Sequence, residues 1–432
     1  MSSSIAIPEP PFPALIPAGW TSSGTARSRF AEGLADESLI KQIEAPALTD
    51  SLLKLRKQFA EIQLGSEYFF QALDFLNWTE LDSRKESPEG NQRFHVLLSG
   101  LLLMRKANIS GSTCLPWEIL QTQITGSLLN SGFSANELSP DRWQKWLLTS
   151  FGTETDSDPV SVENSIFSEN NSLFYFSKYW QAESRLLSLL QKRIKMNPHV
   201  PESSLVEKVL ETVLVEQPVR FGEETLRLAD EQKAAVLRSI SSPLLIVTGG
   251  PGTGKTSITI TLLRVLKRLG LAERPALAAP TGRAAKRMSE AVVNSLNSLV
   301  NLKELPLEQK LLEDAAEAKT LHRLLAYRPG THSFKHHEFD PLEHDLLIVD
   351  EGSMIDQEMM SSLLRAANSE LPHQQSVPRI ILLGDAQQLP SVGNGAVLLE
   401  LTKNSSTPET ADIKENQLHV VRLRRSYRKE IG

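Results

Sequence analysis

Gly249 to Thr256, GGPGTGKT, carries the spacing GxxxxGK[ST] of a phosphate-cradling loop. Glycines allow the dihedrals that turn successive backbone N–H groups onto an anion, and a helix start just beyond them adds partial positive charge. On this reading Gly249, Gly250, Pro251, Gly252, Thr253, Gly254, Lys255, Thr256 and Ser257 line a nucleoside triphosphate. Lys255 reaches its β and γ phosphates, and the Thr256 hydroxyl holds Mg²⁺. A second group closes the run LLIVDE, where Asp350 and Glu351 end an apolar stretch. A strand buried on both faces can expose carboxylates only at its end, which is where open α/β sheets bind ligands. Asp350 is therefore placed to organise Mg²⁺ through water, and Glu351 to polarise the water that attacks the γ phosphate. The run RIILLGD repeats the pattern, and Gln388 in the following AQQLPSV could hydrogen-bond a γ phosphate.

Other polar groups carry open alternatives. Gln232, in DEQ upstream of the loop, could pair with an adenine edge or be plain surface. APTGRAAKRM opens a helix with Arg283, Lys286 and Arg287, which suits a DNA phosphate or a solvated basic face, and His322 in TLH has the same two readings. His332, His336, His337 and His344 lie close together, but with no helical period between them and no cysteine beside them they argue against zinc. Arg422, Arg424, Arg425, Arg428 and Lys429 surround Tyr427, and could supply an arginine finger, touch DNA or be solvated. The single cysteine, Cys114, excludes an internal disulfide framework, and its apolar setting in TCLPW predicts a buried structural thiol.

These groups need a scaffold that brings strand ends together. From Leu226 onward, apolar runs at 244–248, 276–280, 345–349 and 379–383 alternate with helical periods at 230–240, 255–269, 282–298 and 353–368, which predicts a parallel sheet covered on both faces. Upstream, residues 46–215 read as a mainly helical domain, with helical spacing from Asp50 to Ile119, Trp117 to Leu129 and Asp141 to Leu148. A Ser- and Pro-rich stretch at 1–45 is expected to be a disordered tail, and the acidic, polar stretch 151–172 a surface loop. Net charge is −6 at pI 5.9, so any nucleic-acid contact must be a local patch. No apolar run approaches the ~18 residues of a membrane span and the N-terminus lacks the basic segment and apolar run of a signal peptide, so a cytoplasmic protein with no membrane partner is expected.

Taken in order, Gln232, GGPGTGKTS, APTGRAAKRM, TLHRLL, DEGSM, GDAQQLPSV and RSYR resemble the motif series of superfamily 1 helicases. Among them the chain is most similar to the RecD family, the α subunits of exonuclease V, over roughly 60–432. The resemblance implies a RecA-like P-loop NTPase domain at 226–420, an ATP-driven motor moving 5′ to 3′ on single-stranded DNA and acting at DNA ends in double-strand break repair and recombination, and RecB-like and RecC-like subunits as partners. It assigns Gln232 to adenine, Gln388 to γ-phosphate sensing, Arg428 to an arginine finger, and Thr281, Gly282 and His322 to the DNA path. It gives the N-terminal helical domain to partner docking. Two departures stand out. Gly352 replaces the alanine usual in DEASM, and residues 421–432 read as the start of a second motor domain whose downstream motifs are missing. The expectation is a chain that binds ATP and Mg²⁺ and translocates poorly alone. A non-catalytic ATP-binding scaffold module of a repair complex is the alternative, while GDAQQL and RSYR disfavour a P-loop kinase.

Overall fold

The computed structural model describes residues 46–61, 69, 72, 76, 88–110, 112–149, 167–221, 224–225, 227–299, 301–314, 317–368, 377–388, 395, 397–403 and 418–425. The expected tail at 1–45, most of the expected loop at 151–172 and the second arginine of the RSYR segment, Arg428, lie outside the described residues. The chain divides into two compact units, Met1–Trp180 and Gln181–Gly432.

In the first unit the helical periods fold as α1 (Pro46–Glu61), α2 (Pro88–Ile109), α3 (Trp117–Asn130) and α4 (Pro140–Thr149). α2 is apolar nearly all round, with Phe94, Val96 to Leu98 and Leu101 to Met104 buried, so it must be surrounded. Leu52, Leu55 and Phe59 of α1, Leu120, Ile124 and Leu128 of α3, and Trp143 and Leu147 of α4 close one core around it. A small antiparallel sheet joins β1 (Cys114–Pro116) to the hairpin β2 (Phe167–Asn170) and β3 (Leu173–Phe176), in the order β1-β3-β2. The end of the expected loop is thus a strand. Asn171 and Ser172 turn it with φ of 51° and 62°, and Phe167 stacks on Phe176 at 5.4 Å. Cys114 is half-buried rather than buried, because β1 is the edge of that sheet.

The second unit begins within α5 (Ser177–Ile194) and continues through α6 (Ser203–Glu211) and α7 (Asp230–Ser241). Strands and helices then alternate: β4 (Leu244–Gly249), α8 (Lys255–Arg268), β5 (Pro275–Ala279), α9 (Gly282–Asn297), α10 (Pro306–Asp314), β6 (Lys319–Thr320) and α11 (Leu321–Leu324). A hairpin of β7 (Tyr327–Arg328) and β8 (Ser333–Phe334) precedes β9 (Leu346–Val349), α12 (Gln357–Ala367), β10 (Arg379–Gly384), α13 (Val397–Lys403) and β11 (His419–Leu423). The sheet order is β11-β4-β10-β9-β5-β6, with every pair parallel. Its four central strands, β4, β10, β9 and β5, are apolar runs whose side chains alternate between two cores, as period-two geometry requires. Leu245, Val247, Ile348 and Ile381 join helices α8 and α9 on one face. Leu244, Ile246, Leu347 and Ile380 join α12 on the other.

Three features depart from the sequence expectation. The helix expected at 353–368 is a 3-10 turn, Gly352–Met354, followed by α12, because Asp356 caps α12 by accepting the Met359 N–H at 2.8 Å. Residues before 226 belong with the sheet: Leu186 and Leu190 enter one core and Val209 and Val213 the other. Arg193, fully buried, holds that connection by donating to the carbonyls of Pro243, Ala367 and Pro378. Finally, residues 421–423 complete β11 of this sheet rather than opening a separate body. No helix among the described residues is long and apolar enough to cross a membrane.

Candidate nucleotide-binding site

Parallel strands deliver their carboxyl ends to one rim, and the motif residues follow those ends. β4 runs into the glycine loop, β9 into Asp350 and Glu351, and β10, which lies between them, into Asp385 and Gln388. The rim holds a cleft of about 820 Å³. Pro251 to Thr256, Thr259, Asp350, Glu351 and Gln388 line it, together with Arg287, Met288, Ala291 and Val292 of α9.

The loop takes the conformation its glycines permit. Gly252 and Gly254 have φ of 81° and 83°, in the left-handed region where a side chain is strained, and Gly254 opens α8. Gly249 is constrained differently, since a Cβ there would lie 2.8 Å from both Leu423 Cβ and Thr253 Oγ1. Lys255 Nζ donates to the carbonyls of Gly249 at 2.6 Å and Gly250 at 3.2 Å, which parks the ammonium over the loop beside the cleft. Thr256 is exposed to the cleft, and Ser257, half-buried, does not line it.

Asp350 and Glu351 leave β9 in a bent backbone. Glu351 has φ of 53°, unusual for a non-glycine residue, and donates its N–H to Asp350 Oδ1 at 2.9 Å. Burial pushes the Asp350 carboxyl above its ordinary value, opposed by that N–H and by Lys255. Burial raises Glu351 as well, followed by the charge of Asp350, while Lys255 and Arg287 pull it down. Gly352 sits tightly behind them: an added Cβ would be 3.2 Å from the Leu383 carbonyl, so the alanine usual in the motif would need that backbone to give by a few tenths of an ångström.

The donor set fits Mg²⁺ of the kind held by one or two protein oxygens plus phosphate oxygens. Asp350 and the Thr256 hydroxyl are hard oxygen donors lining one cleft. Among the described residues no cluster of three or more His, Cys, Asp and Glu is arranged to hold an ion without a substrate. The histidines point to separate partners: His332 to the Tyr327 hydroxyl at 3.1 Å, His336 to the Asp340 carbonyl at 3.2 Å, and His344 to the Arg274 carbonyl at 3.2 Å.

Gln232 is not brought to the cleft. It is buried, its Oε1 accepts the Ala229 N–H at 3.0 Å, and its Nε2 donates to the Thr253 carbonyl at 3.0 Å. The side chain expected to read adenine instead ties α7 to the phosphate loop. Thr281, Gly282 and His322 stand together away from the loop, because β5 and β6 are neighbours in register, Ala279 opposite Thr320. Thr281 Oγ1 caps α9 by accepting the Ala284 N–H at 3.2 Å, and Gly282 is exposed with open space where a Cβ would go. His322 is exposed and meets Tyr327 at 5.4 Å and Phe334 at 5.8 Å, ring centre to ring centre. Arg287, read with Arg283 and Lys286 as one basic face, was not anticipated in the nucleotide cleft. The signal was there in its i, i+4 relation to Ala291 and in the parallel pair Met288 and Val292.

Fold and site define a RecA-like P-loop domain with a parallel sheet, preceded by a mainly helical unit. Residues 232–394 match the family model described as an AAA domain. The chain is 34% identical over 64% of its length to the RecBCD enzyme subunit RecD of Mycolicibacterium smegmatis, of which it covers 44%. It is 37% identical over 54% of its length to the Haemophilus influenzae RecD subunit, covering 34% of that protein. To the ATP-dependent RecD2 DNA helicase of Deinococcus radiodurans it is 31% identical over 59%, covering 29%. Within the P-loop class, then, the relatives this sequence is similar to are RecD and RecD2 proteins. It spans less than half the length of these curated relatives.

Proposed function

We propose that this chain is the ATP-binding part of a RecD-type DNA motor. The observation that carries the reading is that Lys255, Thr256, Asp350, Glu351 and Gln388, delivered by three different strands, line a single cleft. In this reading Lys255 swings from the loop carbonyls onto the β and γ phosphates. Thr256 and Asp350 hold Mg²⁺, which when bound neutralises phosphate charge. Glu351 accepts the proton of a water whose oxygen bonds to the γ phosphorus, while the bond from that phosphorus to the β–γ bridging oxygen breaks and ADP leaves. Gln388, on the exposed turn after β10, senses the γ phosphate, and Arg428 supplies a further cation.

Thr281, Gly282 and His322 would meet single-stranded DNA along the far end of the same rim, with β9 between them and the loop strand's neighbour β10. By likeness to the RecD subunits the motor runs 5′ to 3′, acts at DNA ends in double-strand break repair and recombination, and works with RecB-like and RecC-like subunits in the cytoplasm, docking through the helical first unit.

ATP hydrolysis by the purified chain, with and without single-stranded DNA and beside Lys255→Ala, tests the reading. DNA-stimulated turnover that disappears in the variant supports it. Nucleotide binding with no turnover in either condition points instead to a non-catalytic scaffold module.

A further inference from the structure

Arg287 holds a position in the nucleotide cleft that the motor reading leaves without a task. The cleft-lining residues of α9 are 287, 288, 291 and 292, a single helical stripe. Met288 and Val292 are buried and fix the helix against the core, so the stripe's orientation is set by packing. Its neighbours on the helix are differently placed: Lys286 pairs with Glu290 at 3.8 Å, and Arg283 is exposed in the first turn, outside the cleft. Among the described residues Arg287 has no carboxylate within ion-pair distance, and its side chain is exposed to the cleft. It stands near enough to Glu351 for its charge to bear on that carboxylate. A planar guanidinium with several donors in a fixed fork, lodged beside the water-activating group, matches phosphate oxygens better than any other ligand the cleft would take.

We propose that Arg287 is a terminal-phosphate contact, its guanidinium donating to γ-phosphate oxygens from α9 while Lys255 and the α8 N-terminus serve the phosphates from the loop. The inference rests on reading the cleft as an ATP site. It gives the cleft a means of distinguishing triphosphate from diphosphate that uses only residues of this unit. A diphosphate ends short of that guanidinium and loses nothing when it is removed. The basic face expected from sequence is thereby divided, with Arg287 on the nucleotide and Arg283 left to DNA.

The test is equilibrium binding of a fluorescent non-hydrolysable ATP analogue and of fluorescent ADP to the full chain, to Arg287→Met and to Arg287→Lys. Loss of a charge-assisted pair weakens the triphosphate by about 10- to 100-fold in Arg287→Met, with ADP affinity within about twofold of the parent, and Arg287→Lys recovers part of the loss. Retained ADP binding also reports an intact fold, and Arg287→Gln serves the same comparison if the methionine variant does not fold. Equal losses for both nucleotides, or no loss for either, overturn the assignment of Arg287 alone. Failure of the parent chain to bind either nucleotide overturns the ATP reading of the cleft.

Discussion

Glu308 of α10 is 1% exposed in its side chain, and one of its oxygens takes all the charge presented to it. Oε1 accepts from Arg268 Nε at 2.9 Å, from Arg268 Nη2 at 2.7 Å and from Arg264 Nε at 3.3 Å. Arg264 is as buried as its partner, and its remaining bonds go to the carbonyls of Val213 at 3.3 Å and Gln217 at 2.8 Å. Glu308→Ala therefore leaves a guanidinium inside the unit with no counter-charge. Breaking a buried pair from one side costs about 3–5 kcal/mol, because the surviving ion is stranded, not because the intact pair is worth that much. With a urea dependence of about 2–3 kcal/mol per molar, the midpoint of the second unit should fall by ~1–2 M. No tryptophan lies in Gln181–Gly432, and Trp143 and Trp146 are buried in the core of the first unit, so tryptophan fluorescence serves as the reporter of that unit. Far-UV circular dichroism should register the loss while the tryptophan transition stays in place. Replacing the two fully buried members, Arg264→Met with Glu308→Leu, should recover part of the stability, Arg268 being left without its carboxylate but 17% exposed. A single-variant shift below about 0.3 M, equivalent to an exposed pair, would refute the reasoning.

The remaining predictions concern the phosphate loop and the first unit. Gln232→Ala removes the hydrogen bond that ties α7 to the Thr253 carbonyl of the loop and the Ala229 N–H bond at the start of α7, so affinity should fall about tenfold for ATP and GTP alike; a loss confined to adenine nucleotides would restore the base-reading role expected from sequence. His95 in α2 is buried between Phe94 and Phe133, and burial, opposed by its bond to the Asn91 carbonyl, lowers its pKa from 6.5 to about 4. Its neutral form is the folded one, so below pH 6.5 the unfolded state binds the proton first, and stability drains as pH falls from 6.5 to about 4. By pH 5 the first unit should have lost about 2 kcal/mol relative to pH 7.5, read from tryptophan-detected urea melts. A His95→Leu variant with the same pH slope would show that another group is responsible.

The central strands were legible because a strand buried on both faces has no choice of composition: LLIV, LLIV and RIILL cannot be solvated, and GG, DE and GD mark where they stop. The edge strands were not legible. β6 is two residues long, and β11 mixes buried Val420, Val421 and Leu423 with half-buried His419 and Arg422, so its arginine read as part of a basic cluster. Side-chain direction was the harder limit within the site. Gln232 and Arg287 stand one to a few residues from a motif glycine or helix start, and only packing decides which way each turns. The amide of Gln232 is drawn inward by two unsatisfied backbone groups, while Met288 and Val292 roll α9 so that Arg287 faces the cleft.

The contact between Gly249 and Leu423 bears on where this unit can be cut. The family match ends at 394, an inviting place to terminate a fragment for expression. A fragment ended there would lack β11 and leave β4 as a bare sheet edge, its ladder open to pairing with another molecule. It would also remove the side chain against which the first loop glycine is packed, and the Arg424 N–H that Glu231 accepts at 2.7 Å. The smallest fragment with an intact phosphate loop therefore runs to at least 424, and β11 is part of the wall on which the loop takes its shape.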